Sequence, residues 1–353
     1  MSTNDTRKSQ LLALKLRALV REHLARENPS RDVRDESLRP AVFARGAALV
    51  DGDSLGGPTA WILIEEQQSR GLGPALLWAL KENCAQLNVL AESSTGIIAR
   101  QAGYFTFPIA VWHVADRTLI PAIPEPFGEP KVPDVAHLAF VDLIRAGGAV
   151  PVVEHGIVTG EVLGLEVCRA VNDPVSGASR VEVGMGAHDR EAFALLHGDK
   201  PTERALADVV ENVRLHRRPG ALAHPFNRIA PERLLRHVTI EDPARIGVAH
   251  LEPCDPPVAR TNVLDIVPCV ARGKSSSSEA FDIVVVFTSG ADPDIVPFAL
   301  DARAHTDLVC GTESSLIIAM PESHVTPTNR KALELANVSA RFVAVSPPSA
   351  SPS

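Results

Sequence analysis

The order of its apolar segments is the feature that most limits what this chain can fold into. After a helical pattern, RKSQLLALKLRALVREHLAREN, come two strand-like runs, AVFARGAALVD and TAWILIEE. A helix, a strand, a second helix and a strand follow them. Apolar strands that alternate with amphipathic helices are typical of α/β proteins. We therefore predict an α/β fold, and at 353 residues the chain is long enough for several domains.

The same order of elements returns in the last third of the chain. Two strand-like runs, DIVPCVARG and AFDIVVVF, precede a helix, a strand, a helix and a strand. The correspondence over six consecutive elements predicts two similar sheet-and-helix segments and is consistent with an internal repeat that arose by duplication. The alternative is that two α/β segments of similar size resemble each other for physical reasons alone.

A segment of different character lies between the two similar ones. GEVLGLEVCRAV and SRVEVGMGA predict a β-hairpin around NDPVSGA, and TERALADVVENVRLHRR predicts a long helix. These changes of character along the chain predict five segments. They are a first α/β unit (1–116), a proline-rich connector (117–135), a central hairpin-plus-helices segment with a basic patch (136–245), a second α/β unit (246–346) and a disordered tail (347–353).

Composition narrows the class of protein further. No apolar run approaches the ~20 residues of a membrane span, and the start MSTNDTRKSQLL lacks the pattern of a signal peptide. The five cysteines include no CxxC pair, which favours reduced thiols over a zinc ribbon. We therefore expect a cytoplasmic protein with no membrane partner. The sequence does not predict the oligomeric state.

A loop with two glycines separates the run WILIEE from the helix that follows it. Gly71 and Gly73 stand in QSRGLGPALLWAL, where free N–H groups at the start of a helix favour an anion. Together with LNVLAESSTGIIARQAGYF, this stretch resembles the coenzyme-binding core of GNAT acetyltransferases. The resemblance implies acetyl-CoA as cofactor, with Arg70, Gly71, Gly73 and Ala75 as pyrophosphate contacts. The simpler alternative is a glycine turn that leads into a helix.

Acidic residues at the strand ends support a different interpretation. ALVDGD supplies Asp51, and WILIEEQ supplies Glu65 and Gln67. With the order helix, strand meander, helix and strand, these residues resemble the core of the PD-(D/E)xK nuclease superfamily, the restriction-endonuclease-like fold. The resemblance implies that Asp51 and Glu65 bind Mg²⁺, which stabilises charge developing on a phosphate. It also implies that Glu65 and Gln67 are catalytic, with Gln67 in the lysine position orienting water.

The second α/β unit departs from this nuclease pattern. Asp265 corresponds to Asp51, but Phe287 and Ser289 stand where the glutamate and the lysine would be. We therefore expect the second unit to be inactive. The nuclease pattern of the first unit is incomplete, because Gln67 cannot supply the ammonium charge of the lysine.

A basic segment favours a nucleic-acid partner. RLHRRPGALAHPFNRIAPERLLRH contains a single acidic residue, although the whole chain has a formal net charge of −8. Such clustering is the electrostatic footprint of a phosphate backbone. The alternative is a solvated helix face whose charges pair with acids elsewhere. The predicted nucleic-acid-binding residues are Arg214, Arg217, Arg218, Arg228, Arg233 and Arg236.

The central segment offers an alternative metal site. Glu166 and Glu182 lie on the predicted hairpin, and His188 and Glu191 would share one face of a helix because they are three residues apart. Alternatively, Asp189 simply caps that helix.

The first functional hypothesis is therefore a nuclease-like protein associated with nucleic acid, which is either Mg²⁺-dependent or catalytically degenerate. A GNAT-like acyltransferase and a non-catalytic interaction scaffold are the alternatives, so the sequence leaves open whether the protein is an enzyme.

Overall fold

The computed structural model describes ten stretches of the chain. The predicted catalytic residue Gln67, the predicted ligand His188 and the predicted disordered tail 347–353 lie outside them. The described residues are 3–29, 36–54, 56–65, 70–186, 189–192, 202–218, 220–221, 224–260, 265 and 267–346.

The chain divides into two compact units, each made of several stretches. Unit 1 consists of Met1–Phe127, Pro293–Asp301 and Thr326–Ser339. Unit 2 consists of Gly128–Asp292, Ala302–Val325 and Ala340–Ser353.

Sheet 1 lies in unit 1 and has its six strands in sequence order. The first three pair antiparallel, the third to the fifth pair parallel, and the sixth is antiparallel to the fifth. The strands are β1 (Leu38–Ala41), β2 (Gly46–Asp51), β3 (Thr59–Ile64), β4 (Gln86–Ala91), β5 (Ile109–Ala115) and β6 (Thr118–Pro121). The helices in this part of the chain are α1 (Thr3–Glu27), α2 (Leu72–Lys81) and α3 (Thr95–Ala102).

Helix α1 covers one face of sheet 1. Leu16, Leu19 and Val20 recur at helical spacing and pack in one core with Trp61 and Leu63 of β3. Full burial of such a side chain contributes about 1.5–3 kcal/mol. All six residues of β3 are buried, which explains why this strand is a continuous apolar run and does not alternate with polar residues.

Sheet 2 lies in unit 2 and is an antiparallel meander. Its strands are β7 (Val150–Glu154), β8 (Ile157–Val162), β9 (Leu165–Asn172) and β10 (Ser179–Val183). Three helices belong to this region, α4 (Val135–Leu138), α5 (Val141–Ala146) and α6 (Thr202–Arg217), and Leu206, Val210 and Val213 of α6 pack with Val158 and Val167 of the sheet.

The predicted hairpin around NDPVSGA is present as β9 and β10, but its first strand was predicted too long. GEVLGLEVCRAV contains the end of β8 and most of β9, joined by a two-residue turn at Leu163 and Gly164. Both turn residues have positive φ, 49° and 75°, as the tight hairpin turn requires. Leucine is an unusual residue for this conformation, so the apolar run concealed the turn.

Sheet 3 also lies in unit 2 and repeats the pairing order of sheet 1. Its first three strands pair antiparallel and its last three pair parallel. The strands are β11 (His250–Cys254), β12 (Cys269–Lys274), β13 (Ile283–Phe287), β14 (Ser315–Met320) and β15 (Ala340–Ala344). The helices around them in sequence are α7 (Pro231–Glu241), α8 (Ile295–Cys310) and α9 (Pro327–Glu334). Three 3₁₀ helices span Pro225–Arg228, Pro243–Ile246 and Glu322–His324.

The predicted α/β class is therefore confirmed, with three sheets and flanking helices. The first and third sheets share the order helix, three antiparallel strands, helix, strand, helix, strand. Their descent from one ancestor stays a prediction. Within the described residues, every helix is too short or too polar to cross a membrane.

Candidate functional site

The strand register separates the two predicted metal ligands. Asp51 ends β2 and pairs with Thr59 at the start of β3, whereas Glu65 follows the last residue of β3. The N–H of Glu65 donates to the carbonyl oxygen of Arg45 at 3.1 Å, just before β2 begins. At ~3.3 Å per residue, the backbone positions of Asp51 and Glu65 are roughly 20 Å apart. The structure therefore does not bring these two carboxylates to one cation.

Asp51 closes the turn between β2 and β3. Its side chain is fully buried and accepts hydrogen bonds from the backbone N–H of Asp53 at 3.2 Å and the hydroxyl of Ser54 at 2.8 Å. An aspartate that binds the backbone two residues further on is a common turn-forming device. The geometry thus gives Asp51 a structural role at this end of the hairpin.

Glu65 has a different acidic neighbour, Glu92. In the parallel register of β3 and β4, Leu63 lies beside Leu90, and each glutamate stands two residues further along its strand. Leu63 and Leu90 both pack in the core under α1. Because side chains alternate between the faces of a strand, Glu65 and Glu92 face the same side. Two carboxylates therefore lie at the neighbouring carboxyl ends of parallel strands, on the side covered by α1.

Helix α1 supplies a lysine to each of these glutamates. The Nζ of Lys8 forms an ion pair with Oε1 of Glu65, and the Nζ of Lys15 forms one with Oε1 of Glu92. The two lysines are seven residues apart and share one face of the helix. We call these four residues the edge cluster. Together with Leu12, Leu63 and Ile64 they line an open cavity of about 360 Å³.

The edge cluster contributes little to stability. The side chains of Glu65 and Glu92 are 36% and 31% exposed, and exposed ion pairs typically contribute about 0.2–1 kcal/mol. Chemically, paired carboxylates suit a hard divalent cation, and lysines suit phosphate oxygens. Open α/β sheets generally bind ligands outside the carboxyl ends of their strands.

Sheet 3 shows that the fold itself does not require acids at this edge. Thr288 follows β13 and Pro321 follows β14, so neither of these strands is followed directly by an acid. The buried Phe287 ends β13, where the nuclease pattern would place an acid. In the part of the chain that the structure describes, no group of three or more His, Cys, Asp and Glu residues could hold a metal ion. The edge cluster, with two carboxylates, is smaller than such a group.

The loop that was predicted to hold pyrophosphate is occupied by another part of unit 1. The N–H of Gly73 donates to Oδ1 of Asp294 at 2.9 Å, and a Cβ on Gly73 would lie 2.0 Å from the carbonyl oxygen of Pro293. The first turn of α2 therefore already faces a carboxylate. This contact leaves neither the N–H nor the space that the predicted pyrophosphate contact at Gly73 needs.

The other residues of that prediction also pack inside unit 1. A Cβ on Gly71 would lie 2.8 Å from the side chain of Ile64, and Ala75 is fully buried. The guanidinium of Arg70 lies 5.5 Å from the ring centre of Phe298, within the range of a cation–π contact. In the structure, the loop therefore packs as a glycine turn that leads into α2.

Three of the six predicted nucleic-acid-binding arginines are buried. Arg233 and Arg236, three residues apart on α7, pair with Glu154 and Glu161 of sheet 2. Arg217 is 2% exposed and donates to backbone carbonyls. These acceptors are the carbonyl oxygens of Leu163, Phe226 and Ile229.

The remaining three arginines of the basic segment are exposed. Arg214 donates to the carbonyl oxygen of Gly148 at 2.7 Å, and Arg218 and Arg228 lie at the surface. The six arginines therefore do not form one basic surface as predicted, because Arg233 and Arg236 are paired with carboxylates and Arg217 is buried among backbone carbonyls in unit 2.

The alternative metal ligands of the central segment are paired with arginines. Glu166 accepts two hydrogen bonds from Arg169, at 2.9 and 3.0 Å, and one from Arg190 at 3.2 Å. Glu182 accepts one from Arg180 at 2.8 Å. Both carboxylates are thus neutralised by guanidinium groups, and the remaining candidate in the described region, Glu191, is exposed.

The sequence patterns did not single out three members of the edge cluster, Glu92, Lys8 and Lys15. The signal for Glu92 was present, since LNVLAE ends in a glutamate just as WILIEE does. Parallel pairing of the two runs would have placed both acids at one edge. The lysines could not be assigned without knowing which face of α1 packs on the sheet.

No protein-family model matches the chain, and neither a curated protein nor a solved structure matches it significantly.

Proposed function

We propose that this protein is a cytoplasmic, restriction-endonuclease-like phosphodiesterase that acts on nucleic acid with a divalent cation held by Glu65 and Glu92. The observation that supports this function is the position of the two carboxylates at adjacent carboxyl ends of β3 and β4, each beside a lysine of α1. The order of helices and strands in sheet 1 is also the one that the resemblance implies.

The donor set fits Mg²⁺. This ion is commonly bound by one or two carboxylates, with water and substrate phosphate completing its coordination. Glu65 and Glu92 provide two carboxylates beside a cavity that is open to solvent. A bound Mg²⁺ would supply Lewis-acid stabilisation of the charge that develops on the phosphate.

The lysines bind the substrate in this proposal. Lys8 is 62% and Lys15 41% exposed, so both can exchange a glutamate partner for a phosphate oxygen. With Glu65 and Glu92 engaged by a cation, the ammonium groups of Lys8 and Lys15 would be available to hold the phosphate backbone. Leu12, Leu63 and Ile64 form the apolar floor and restrict water on that side.

The test is cleavage of single- and double-stranded DNA and RNA by the full chain with Mg²⁺, Mn²⁺ or Ca²⁺. We expect cleavage with Mg²⁺ or Mn²⁺, and at least a hundredfold loss in Glu65→Gln and in Glu92→Gln. Glu82→Gln serves as the matched control, because Glu82 is an exposed glutamate at the far end of α2. Failure of the wild-type chain to cleave any of these substrates, with no Mg²⁺-dependent rise in melting temperature, would refute the function.

Substrate binding is tested separately through its salt dependence. Removing one lysine that binds a phosphate reduces the slope of log K against log[salt] by about one. The double variant Lys8→Gln, Lys15→Gln should therefore show a slope about two smaller than the wild type, whereas Lys81→Gln should keep the wild-type slope. An unchanged slope in the double variant would remove the lysines from the proposal.

A further inference from the structure

A second cluster of chemistry-bearing residues surrounds a cavity in unit 2, which lies outside the edge cluster. Its volume is about 40 Å³. Since one water needs ~10–15 Å³ by this measure, the cavity has room for roughly three water-sized groups. It therefore suits a small polyatomic ligand. The lining residues that could bind one are Glu154, His155, Glu166, Arg169, Arg233 and Arg260.

His155 stands in a tight turn at the edge of this cavity. It occupies the two-residue turn between β7 and β8 with a φ of +49°, followed by Gly156 at +74°. Such turns favour asparagine, aspartate or glycine, and histidine is also enriched at positive φ. The turn therefore holds the imidazole at the cavity without strain.

Asp255 lies beside His155 and holds the backbone of its turn. Its Oδ1 accepts the backbone N–H of His155 at 2.8 Å, and its Oδ2 lies 3.9 Å from Nδ1 of the imidazole. The backbone hydrogen bond therefore fixes the turn that carries the imidazole.

Among the described residues that line the cavity, the buried nitrogens without a hydrogen-bond partner include Nε2 of His155 and Nε of Arg233. Arg233 is only 7% exposed, and its two terminal nitrogens already bind Glu161 and Glu154. Buried polar groups in native proteins nearly always have a partner. These two nitrogens can therefore donate to an acceptor that enters the cavity.

The carboxylates at the cavity repel an anion only weakly, because guanidinium groups already neutralise their charge. Glu154 accepts from Arg233 and Arg236, and Glu166 accepts from Arg169 and Arg190. Burial lowers the pKa of the lining Arg260, and the charge of Arg233 lowers it further. A bound anion would counteract the second effect.

We infer that this cavity is a binding site for a small oxyanion of phosphate or carboxylate size, held by Nε2–H of His155 and by Nε–H of Arg233, with Asp255 positioning the turn that carries the histidine. The site is independent of the nuclease-like function, since its residues belong to another unit.

Isothermal titration calorimetry of the full chain tests the site, with phosphate, sulfate and acetate added separately at constant ionic strength in an oxyanion-free buffer. We expect saturable binding of one anion per chain, and at least tenfold weaker binding in His155→Asn. Asparagine tolerates positive φ, so this variant keeps the turn. The control is His250→Asn, at a histidine of the same unit whose side chain is 56% exposed. Tighter binding of phosphate and sulfate than of acetate would identify a tetrahedral ligand, and the reverse a carboxylate.

Absence of saturable heat with all three anions, or wild-type affinity in His155→Asn, would overturn the inference. A crystallographic soak of the wild-type protein in selenate gives a readout that does not depend on any variant. An anomalous peak within hydrogen-bond distance of Nε2 of His155 is the expected result, and a cavity without a peak contradicts it.

Discussion

The carboxylate of Asp294 accepts a hydrogen bond from the backbone N–H of Gly73, with an N–O distance of 2.9 Å. Its second oxygen lies 3.2 Å from a guanidinium nitrogen of Arg45. The amino terminus of a helix favours negative charge, because its first N–H groups have no partner within the helix. The anion that the glycine-rich loop was predicted to recruit is thus a side chain of the same unit.

The close packing of Gly73 predicts a loss of stability when a methyl group is added there. The new Cβ would lie 2.0 Å from the carbonyl oxygen of Pro293, so backbone must move to accommodate it. We expect Gly73→Ala to lower the free energy of unfolding by about 1–3 kcal/mol, as measured by urea denaturation. Gly128→Ala is the control, because its Cβ would meet nothing within 4 Å. Equal stability of the two variants would show that α2 is not packed in this way.

Acetyl-CoA should not bind at this loop. Because Asp294 already accepts from the N–H of Gly73, the coenzyme's pyrophosphate would meet a carboxylate at the helix terminus. We expect no change in the melting temperature of the wild-type protein at saturating acetyl-CoA, since only a ligand that binds the native state raises it. A rise that disappears in Gly73→Asp would restore the acyltransferase hypothesis.

The burial of Arg236 predicts that it stabilises the fold. Its side chain is 2% exposed and pairs with Glu154 and Glu161. Removing one partner of a buried ionic network leaves uncompensated charge, which typically costs about 3–5 kcal/mol. We expect Arg236→Ala to be destabilised by about that amount in urea denaturation, and the exposed Arg218→Ala by less than about 0.5 kcal/mol. An Arg236→Ala variant as stable as the wild type would show that Arg236 lies at the surface, where a phosphate backbone could reach it.

The same network makes stability depend on pH in the acid range. Burial raises the pKa of the Glu154 carboxyl, but Arg236 and Arg233 together lower it by more. The net result is a pKa of about 2, below the usual 4.5. Because the native state binds the proton more weakly than the unfolded chain, this contribution is fully present above about pH 4.5 and is lost as the pH falls towards 2.

The free energy of unfolding of the wild-type protein, measured from neutral pH to about pH 2.5, should therefore fall more steeply below about pH 4.5 than that of Glu154→Gln. The variant is expected to be less stable at neutral pH. Parallel pH profiles for the two proteins would contradict the ion pairing.

The five cysteines are all free and predict a graded reactivity. Burial raises the pKa of the Cys168, Cys254 and Cys269 thiols to about 12, and it also raises that of Cys84. A thiol reacts through its thiolate, so these four should react slowly in the native protein. Cys310 is partly exposed and lies 3.3 Å from a guanidinium nitrogen of Arg272.

We therefore expect one thiol to react quickly with an aromatic disulfide reagent in the native state, and all five after denaturation. Cys310→Ser should abolish the fast phase, whereas Cys84→Ser should keep it. A fast phase that survives in Cys310→Ser would show that another thiol is accessible.

Much of the architecture was predictable from local patterns. A strand covered on both faces is almost entirely apolar, so TAWILI and IVVVF could be recognised without any knowledge of their partners. The leucines of α1 recur at the helical period because one face packs on a sheet. These signals come from neighbours along the chain, and they were sufficient for the α/β class and for the similarity between the first and third sheets.

The candidate site depended on pairings that local patterns do not contain. An antiparallel register separated Asp51 from Glu65, and a parallel register placed Glu92 beside Glu65. A charge in the sequence likewise gives no indication of whether it faces water. Arg236 and Arg218 look alike in the basic segment, yet only Arg236 is enclosed by carboxylates from another element. The sequence by itself determined which elements form, because propensity and periodicity are local. Tertiary structure decided which charges meet, because that depends on strand register and on the face of each helix that packs.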